Sequence, residues 1–183
     1  MIVAIQGCRG SYHDEAATQH FGTAYEPLSR ETFLDVYSAL AEGWADYAVA
    51  AQHNTIYGDI VRSQAALALY LEKFVIVGEL SLPIHHCLLG LPTAELQYIT
   101  SVHSQHEALM QCRVFLRQKL PQAAIKAEVD TAGSAQMVGA QNDPRLAAIA
   151  SERAASLYGL QILAHGIEDR PHNITTFAIL RRR

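Results

Sequence analysis

The sequence predicts an α/β fold with substantially parallel sheets, divided between two small lobes. Short apolar runs the length of strands alternate repeatedly with helix-length amphipathic segments, the pattern that lays helices against a sheet. A long apolar, β-rich run over 74–91 has no helical period and is broken by Gly78 and Pro83. It reads as extended chain passing out of one lobe into another. The first lobe is expected over 1–76 plus 167–183 and the second over 77–166.

Residues 2–6, Ile-Val-Ala-Ile-Gln, open as a buried strand because they are apolar without alternation. Residues 13–21 read as a helix, and 32–42 as a second with Phe33, Val36, Tyr37 and Leu40 on one face. A strand at 47–51 and a helix at 59–71 follow. Beyond the 74–91 run come a strand at 98–102, a helix at 107–120, a strand at 124–129 and a helix at 132–140. The order continues with a strand at 146–150, a helix at 152–157 and a β run at 161–164. A polar loop over 166–173 leads into the last strand, 174–180. Crossovers between the lobes are expected near 74–82 and 161–167.

Half of the 183 residues are hydrophobic, 17% are charged and 8% aromatic, which excludes disordered and disulfide-framework classes and supplies a sizeable core. No window approaches the roughly 20 apolar residues of a membrane-spanning helix, and the start of the chain lacks the charged n-region of a signal peptide. A cytoplasmic protein with no membrane partner is expected. Cys8, Cys87 and Cys112 form no CxxC pair and sit in apolar surroundings, which reads as buried free thiols in a reducing compartment. Fourteen basic against 18 acidic residues give a net charge of −4, and the only basic run is Arg181, Arg182 and Arg183. A nucleic-acid partner would need a basic face and is not expected. Nine histidines include one adjacent pair, His85 and His86, and no HExxH or HxH motif, so no metal is expected. The flanks of His85-His86-Cys87 are apolar, which favours a core or cleft-wall role over a metal or nucleophile site.

Several predicted strands end in a hydroxyl or amide residue where a helix should begin: Ser11, Asn54 with Thr55, Ser104, Thr131 and Ser151. Ligands of open α/β sheets sit beyond the carboxyl ends of strands, and helix N-termini there hold carboxylates or phosphates. The alternative reading is that these residue types are favoured helix caps.

The segment Gln6-Gly7-Cys8-Arg9-Gly10-Ser11-Tyr12-His13-Asp14-Glu15-Ala16-Ala17 resembles the amino-terminal motif of prephenate dehydratases. Further blocks keep the order of that family: Gln52-His53-Asn54-Thr55 with Gly58, Ile84-His85-His86-Cys87-Leu88-Leu89, and Val102-His103-Ser104 with Gln111-Cys112. Asp130-Thr131-Ala132, Ala148-Ile149-Ala150-Ser151 and the closing Asn173-Ile174-Thr175-Thr176-Phe177 complete the set. The resemblance implies two α/β lobes akin to type II periplasmic binding proteins, with an active-site cleft between them. It implies conversion of prephenate to phenylpyruvate with loss of water and carbon dioxide in L-phenylalanine biosynthesis, without a cofactor. It also implies a catalytic Thr175, supported by Asn54, Ser104 and Gln111, and a substrate-binding set of Ser11, His53, Thr55, Thr131, Ala132 and Phe177. Many relatives carry a regulatory ACT domain, which is not expected in a chain ending at Arg183. Relatives form oligomers, so a homodimer is possible.

Some motif positions depart from the family pattern. His53 stands where the family has Glu, Ala51-Gln52 where it has Pro-Ile, Gln105-His106 where it has His-Pro, and Thr176 where it has Arg. An imidazole can be neutral or cationic near neutral pH, and Thr cannot replace a bidentate guanidinium, although Arg9 could offer compensating charge. Three outcomes stay open: a working dehydratase, a paralogue in which His53 delivers a proton to carbon and prephenate is decarboxylated without dehydration, or a non-catalytic binder of a small dicarboxylate.

Overall fold

Val3, Ala4 and Ile5 are all fully buried in strand β1 (Ile2–Gln6), as a strand covered on both faces requires. The computed structural model describes residues 1–183. After β1 come α1 (Tyr12–Phe21), β2 (Glu26–Arg30), α2 (Phe33–Glu42), β3 (Tyr47–Asn54), β4 (Gly58–Asp59), α3 (Val61–Ala68) and β5 (Phe74–Pro83). The chain continues through β6 (Cys87–Gly90), β7 (Ser101–Gln105), α4 (His106–Gln111), α5 (Arg113–Lys119), β8 (Ala124–Glu128), α6 (Thr131–Gln141), β9 (Leu146–Ala150), α7 (Glu152–Tyr158), β10 (Gln161–Ala164) and β11 (Ile174–Arg182). These elements form two units, residues 1–84 with 172–183, and residues 85–171.

The sheet of the first unit runs β2-β1-β3-β11-β5, with β4 beside β3. β1 is parallel to β2 and β3, whereas β11 is antiparallel to β3 and β5. Alternate residues serve opposite faces. Ala4, Ala48, Ala50, Ala178 and Leu180 pack with Val36, Tyr37 and Leu40 of α2 and Leu67 of α3. Val3, Ile5, Val49, Phe177 and Ile179 pack with Ala16 and Ala17 of α1. Helix starts follow the capping rule: Ser11 accepts from Asp14 N–H and Thr32 from Asp35 N–H. Helix α2 ends at Gly43, whose φ of 86° is a left-handed conformation that suits glycine.

In the second unit the order is β10-β6-β9-β7-β8. β7 is parallel to β8 and β9, and β6 is antiparallel to β9 and β10. Leu88, Leu89, Val102, Ala148 and Ile149 of the sheet share one core with Leu109, Leu116, Ala135, Val138 and Ala154 of the helices. No helix is long and apolar enough to cross a membrane.

The mixed α/β class is as the sequence predicts, and four local expectations change. Strand β2 lies where none is expected, because Glu-Pro-Leu-Ser-Arg at a sheet edge carries neither an apolar run nor clean alternation. The expected helix over 107–120 is two helices, broken at Cys112 where φ is −110° and ψ is 15°. The expected strand at 98–102 begins instead at Ser101 and reaches Gln105, after a 3-10 turn over Leu96–Tyr98. The run over 74–91 is extended and passes from the first sheet, as β5, to the second, as β6, as the sequence predicts, but the crossover follows Pro83 instead of occupying 74–82. The units therefore divide after residues 84 and 171, later than 76 and 166. The cause is hydrogen bonding: β5 pairs with β11 up to Pro83 opposite Ile174, and Ile167 N–H donates to the His86 carbonyl.

Candidate active site

The antiparallel register of β3 and β11 sets Thr175 opposite Asn54, and their side chains meet. Asn54 Nδ2 donates to Thr175 Oγ1 at 2.9 Å and to Asn173 Oδ1 at 2.8 Å. Asn54 Oδ1 accepts from the N–H groups of Ile56 and Tyr57 at 2.9 and 3.1 Å. That turn geometry is typical of Asn after a strand, and it fixes which end of the amide faces Thr175. Asn54, Asn173 and Thr175 are all buried. Thr175 Oγ1 accepts from Asn54, so its own hydroxyl proton can be donated onward. Asn173, which opens the closing motif, joins the candidate site through its bond from Asn54, although the sequence does not single it out.

The remaining candidates of the first unit divide by what their polar atoms do. Thr55 Oγ1 donates to the His172 carbonyl at 2.7 Å and accepts from Ile174 N–H at 2.9 Å, which ties the end of β3 to the start of β11. Ser11 Oγ accepts from Asp14 N–H at 3.2 Å, the bond of a helix cap. Phe177 is core, its ring 5.1 Å from that of His13. His53 is the strand neighbour of Asn54 and so turns to the opposite face. Its Nδ1 lies 3.0 Å from Asp59 Oδ1, with half of the side chain exposed. Directly across from His53 in register is Thr176, whose Oγ1 lies 3.0 Å from Ser81 Oγ. Two of the departures from the family pattern are therefore cross-strand partners.

In the second unit Ser104 lies inside β7 and is buried, and its Oγ donates to the Ile149 carbonyl at 2.6 Å. The hydroxyl proton is committed there, so the oxygen can act toward a ligand only as an acceptor. Thr131 and Ala132 begin α6 and are buried, and the cap is Asp130, which accepts from Gly133 N–H at 2.7 Å. Gln111 ends α4, its Oε1 2.6 Å from Nε2 of the buried His86.

Beside it sits a group that the sequence did not reveal. Glu168 Oε1 lies 2.9 Å from His85 Nδ1, and its Oε2 accepts from His86 N–H at 3.0 Å. Burial pushes the Glu168 carboxyl up, but hydrogen bonds from His85 and from backbone N–H groups, that of His86 among them, hold it below its ordinary value. Burial lowers the pKa of His86, against the raising effects of Gln111 and Glu168. Glu168 occupies the polar loop over 166–173, and no periodicity marks a loop carboxylate as buried. Cys87 Sγ lies 3.8 Å from His165 Nδ1, but burial pushes the thiol up, the wrong direction for a nucleophile. No group of three or more His, Cys, Asp or Glu side chains is placed to hold a metal ion.

Both units thus offer hydroxyl and amide hydrogen-bonding groups with fixed orientations, arranged on a mixed α/β scaffold with two sheets. Such groups suit a small polar ligand. Residues 3–183 match the family model described as prephenate dehydratase, and the chain belongs to that family. Over 183 residues it is 42% identical to arogenate dehydratase 1 of Petunia hybrida, a match covering 98% of this chain and 42% of that protein. The chain thus spans about two fifths of that relative's length. A crystal structure of prephenate dehydratase from Arthrobacter aurescens in complex with L-Phe is similar with a TM-score of 0.89 and 26% identity, over 100% of this chain and 61% of that one. A structure of GqqA, described as a novel type of quorum-quenching acylase, is similar with a TM-score of 0.85 and 34% identity, over 100% and 64% of the two chains.

Proposed function

We propose that this protein removes water and carbon dioxide from prephenate to give phenylpyruvate, a step of phenylalanine biosynthesis. The observation that carries the reading is the Asn54–Thr175 pair. Asn54 Nδ2 holds Thr175 Oγ1 at 2.9 Å, which leaves the threonine proton directed to another acceptor. In the reaction the bond from the ring to its carboxylate breaks, and its electron pair enters the ring as carbon dioxide leaves. The allylic C–O bond breaks on the same ring, which becomes aromatic. The departing oxygen needs a proton to leave as water. Thr175 supplies a hydrogen bond or that proton, and solvent restores it. No step needs a redox group or an added electrophile.

The substrate class extends to arogenate, named for the Petunia relative, which carries an amino group where prephenate has the keto group. Decarboxylation without dehydration would use His53 as a proton donor to carbon, and its partner at 3.0 Å is the exposed Asp59, on the strand face opposite Asn54. An acyl-transfer reading, after the structure described as an acylase, lacks an activated thiol at Cys87. Cys87 and Cys112 are buried as the sequence predicts, whereas Cys8 is only half-buried; the cytosol is the compartment we assign, on the absence of any CxxC pair or cysteine-rich framework in the sequence.

The test is turnover of prephenate and arogenate by the purified protein and by Thr175→Val, which keeps the shape of the side chain and removes the hydroxyl. Wild type is expected to form phenylpyruvate above the spontaneous background. Thr175→Val should lose about 100-fold or more in kcat, the scale of a general acid, while Thr175→Ser keeps much of it. A Thr175→Val protein with near-wild-type kcat would remove Thr175 from the chemistry.

A further inference from the structure

In the second unit three consecutive loop residues hold two separate pieces of chain. Ile167 N–H donates to the His86 carbonyl at 3.0 Å, and Glu168 Oε2 accepts from His86 N–H at 3.0 Å. The next residue reaches the other piece: Asp169 N–H donates to the Gln111 carbonyl at 2.6 Å. Asp169 Oδ1 also accepts from Val114 N–H at 3.0 Å, just past the helix break at Cys112, and Arg113 Nε lies 3.6 Å from Asp169 Oδ2. Both backbone groups of His86 and the backbone carbonyl of Gln111 are thus held by one short bracket, and between these two residues the side chains meet at 2.6 Å.

We propose that the 167–169 bracket and His86 are positioning elements for Gln111, fixing its side-chain amide so that it presents donors rather than an acceptor to the substrate. The argument is one of geometry. A neutral imidazole carries a proton on one nitrogen, and against Gln111 Oε1 that nitrogen is Nε2. An amide whose oxygen is held in this way turns its NH2 end to whatever else it meets, which matches a carboxylate or keto oxygen. Glu168 is suited to its part because its side chain is 5% exposed and it anchors two groups at once, the His86 backbone and the His85 ring. The family motif contains Gln111, but nothing in it states how the amide is oriented. The inference deepens the dehydratase reading and rests on it for the identity of the substrate.

The experiment combines single and double substitutions with a readout that needs no turnover. His86→Phe fills the same buried space without the donor, and Glu168→Gln keeps the shape of the bracket while weakening its hold on His85 and His86. In kcat/KM with prephenate, His86→Phe is expected to lose about tenfold, Glu168→Gln less, and Gln111→Ala at least as much as either. The double variant His86→Phe/Gln111→Ala should fall no further than Gln111→Ala alone, because a positioning residue acts only through what it positions. Losses that multiply in the double variant would overturn the proposal. In parallel, the side-chain amide resonances of Gln111, assigned by their absence in Gln111→Ala, should be shifted from ordinary exposed amides and should move toward them in His86→Phe and Glu168→Gln. Resonances that stay in place in both variants also overturn it. Absence of turnover in the wild type would sink the dehydratase reading, and the resonances would still decide the orientation of Gln111.

Discussion

At the scale of single residues, the histidines show how environment separates one residue type into different roles. His53 and His85 sit at the surface beside carboxylates, His86 is buried against an amide, and His13 is packed between aromatic rings. The ring of His13 lies 5.7 Å from that of Phe33 and 5.1 Å from that of Phe177, and its Nε2 accepts from Ala51 N–H at 3.3 Å. Burial lowers its pKa from 6.5 to about 4. On acidification the unfolded chain therefore takes up a proton near pH 6.5, while the folded chain holds its histidine neutral down to about pH 4. Stability from this group is complete above the upper value and is lost as the pH falls toward the lower one, by at most about 3 kcal/mol. His13→Gln, which keeps an acceptor for Ala51, should flatten the stability profile across that window in urea unfolding at a series of pH values. A profile with the same acid slope as wild type would place the proton uptake elsewhere.

At the scale of elements, the pairing of β3 with β11 does most to define the candidate site. It sets Asn54 against Thr175, and the next register position sets His53 against Thr176. The family pattern has Glu and Arg at those two positions, so the exchange of both removes an opposite-charge pair from one place rather than two unrelated charges. Cross-strand pairs of opposite charge contribute about 0.2–1 kcal/mol. Restoring one partner alone is unfavourable: Thr176→Arg sets a cation opposite His53, and His53→Glu sets a carboxylate near Asp59, where the imidazole now lies at 3.0 Å. The double variant His53→Glu/Thr176→Arg should be more stable than the sum of the singles, as read in a double-mutant cycle by denaturant unfolding. Strictly additive effects would show that the two positions do not interact.

At the scale of the whole molecule, the two units differ in how the chain builds them. The second is continuous, residues 85–171, with its own sheet and core. The first is discontinuous, because β11 from the end of the chain lies between β3 and β5. A fragment of residues 85–171 is expected to unfold cooperatively on heating, whereas a fragment of residues 1–84 should show no such transition, its sheet having lost a central strand. A cooperative transition in the 1–84 fragment would mean that β3 and β5 can close on each other without β11. The same topology places Asn54 and Thr175, 121 residues apart in sequence, within hydrogen-bonding distance.

The alternation of strands and helices, the mixed α/β class, the family and the residue types of the candidate site can all be read from the order of residues. These are legible because amphipathic period, helix caps and motif order are local in the chain. Thr175 and Asn54 were both legible in this way, each within a short motif, but their contact was not. Edge strand β2, the helix break at Cys112 and the strand limits around Ser104 escaped because edges and breaks carry weak local patterns that neighbours in space decide. The same holds for Glu168 and Asp169: a polar loop looks like solvated chain until it is seen to bind the backbone of His86 and Gln111. Tertiary structure alone decided which hydroxyl proton is committed, as in Ser104, and which can be given away, as in Thr175, because a hydrogen bond depends on the partner that folding brings within 3 Å or so.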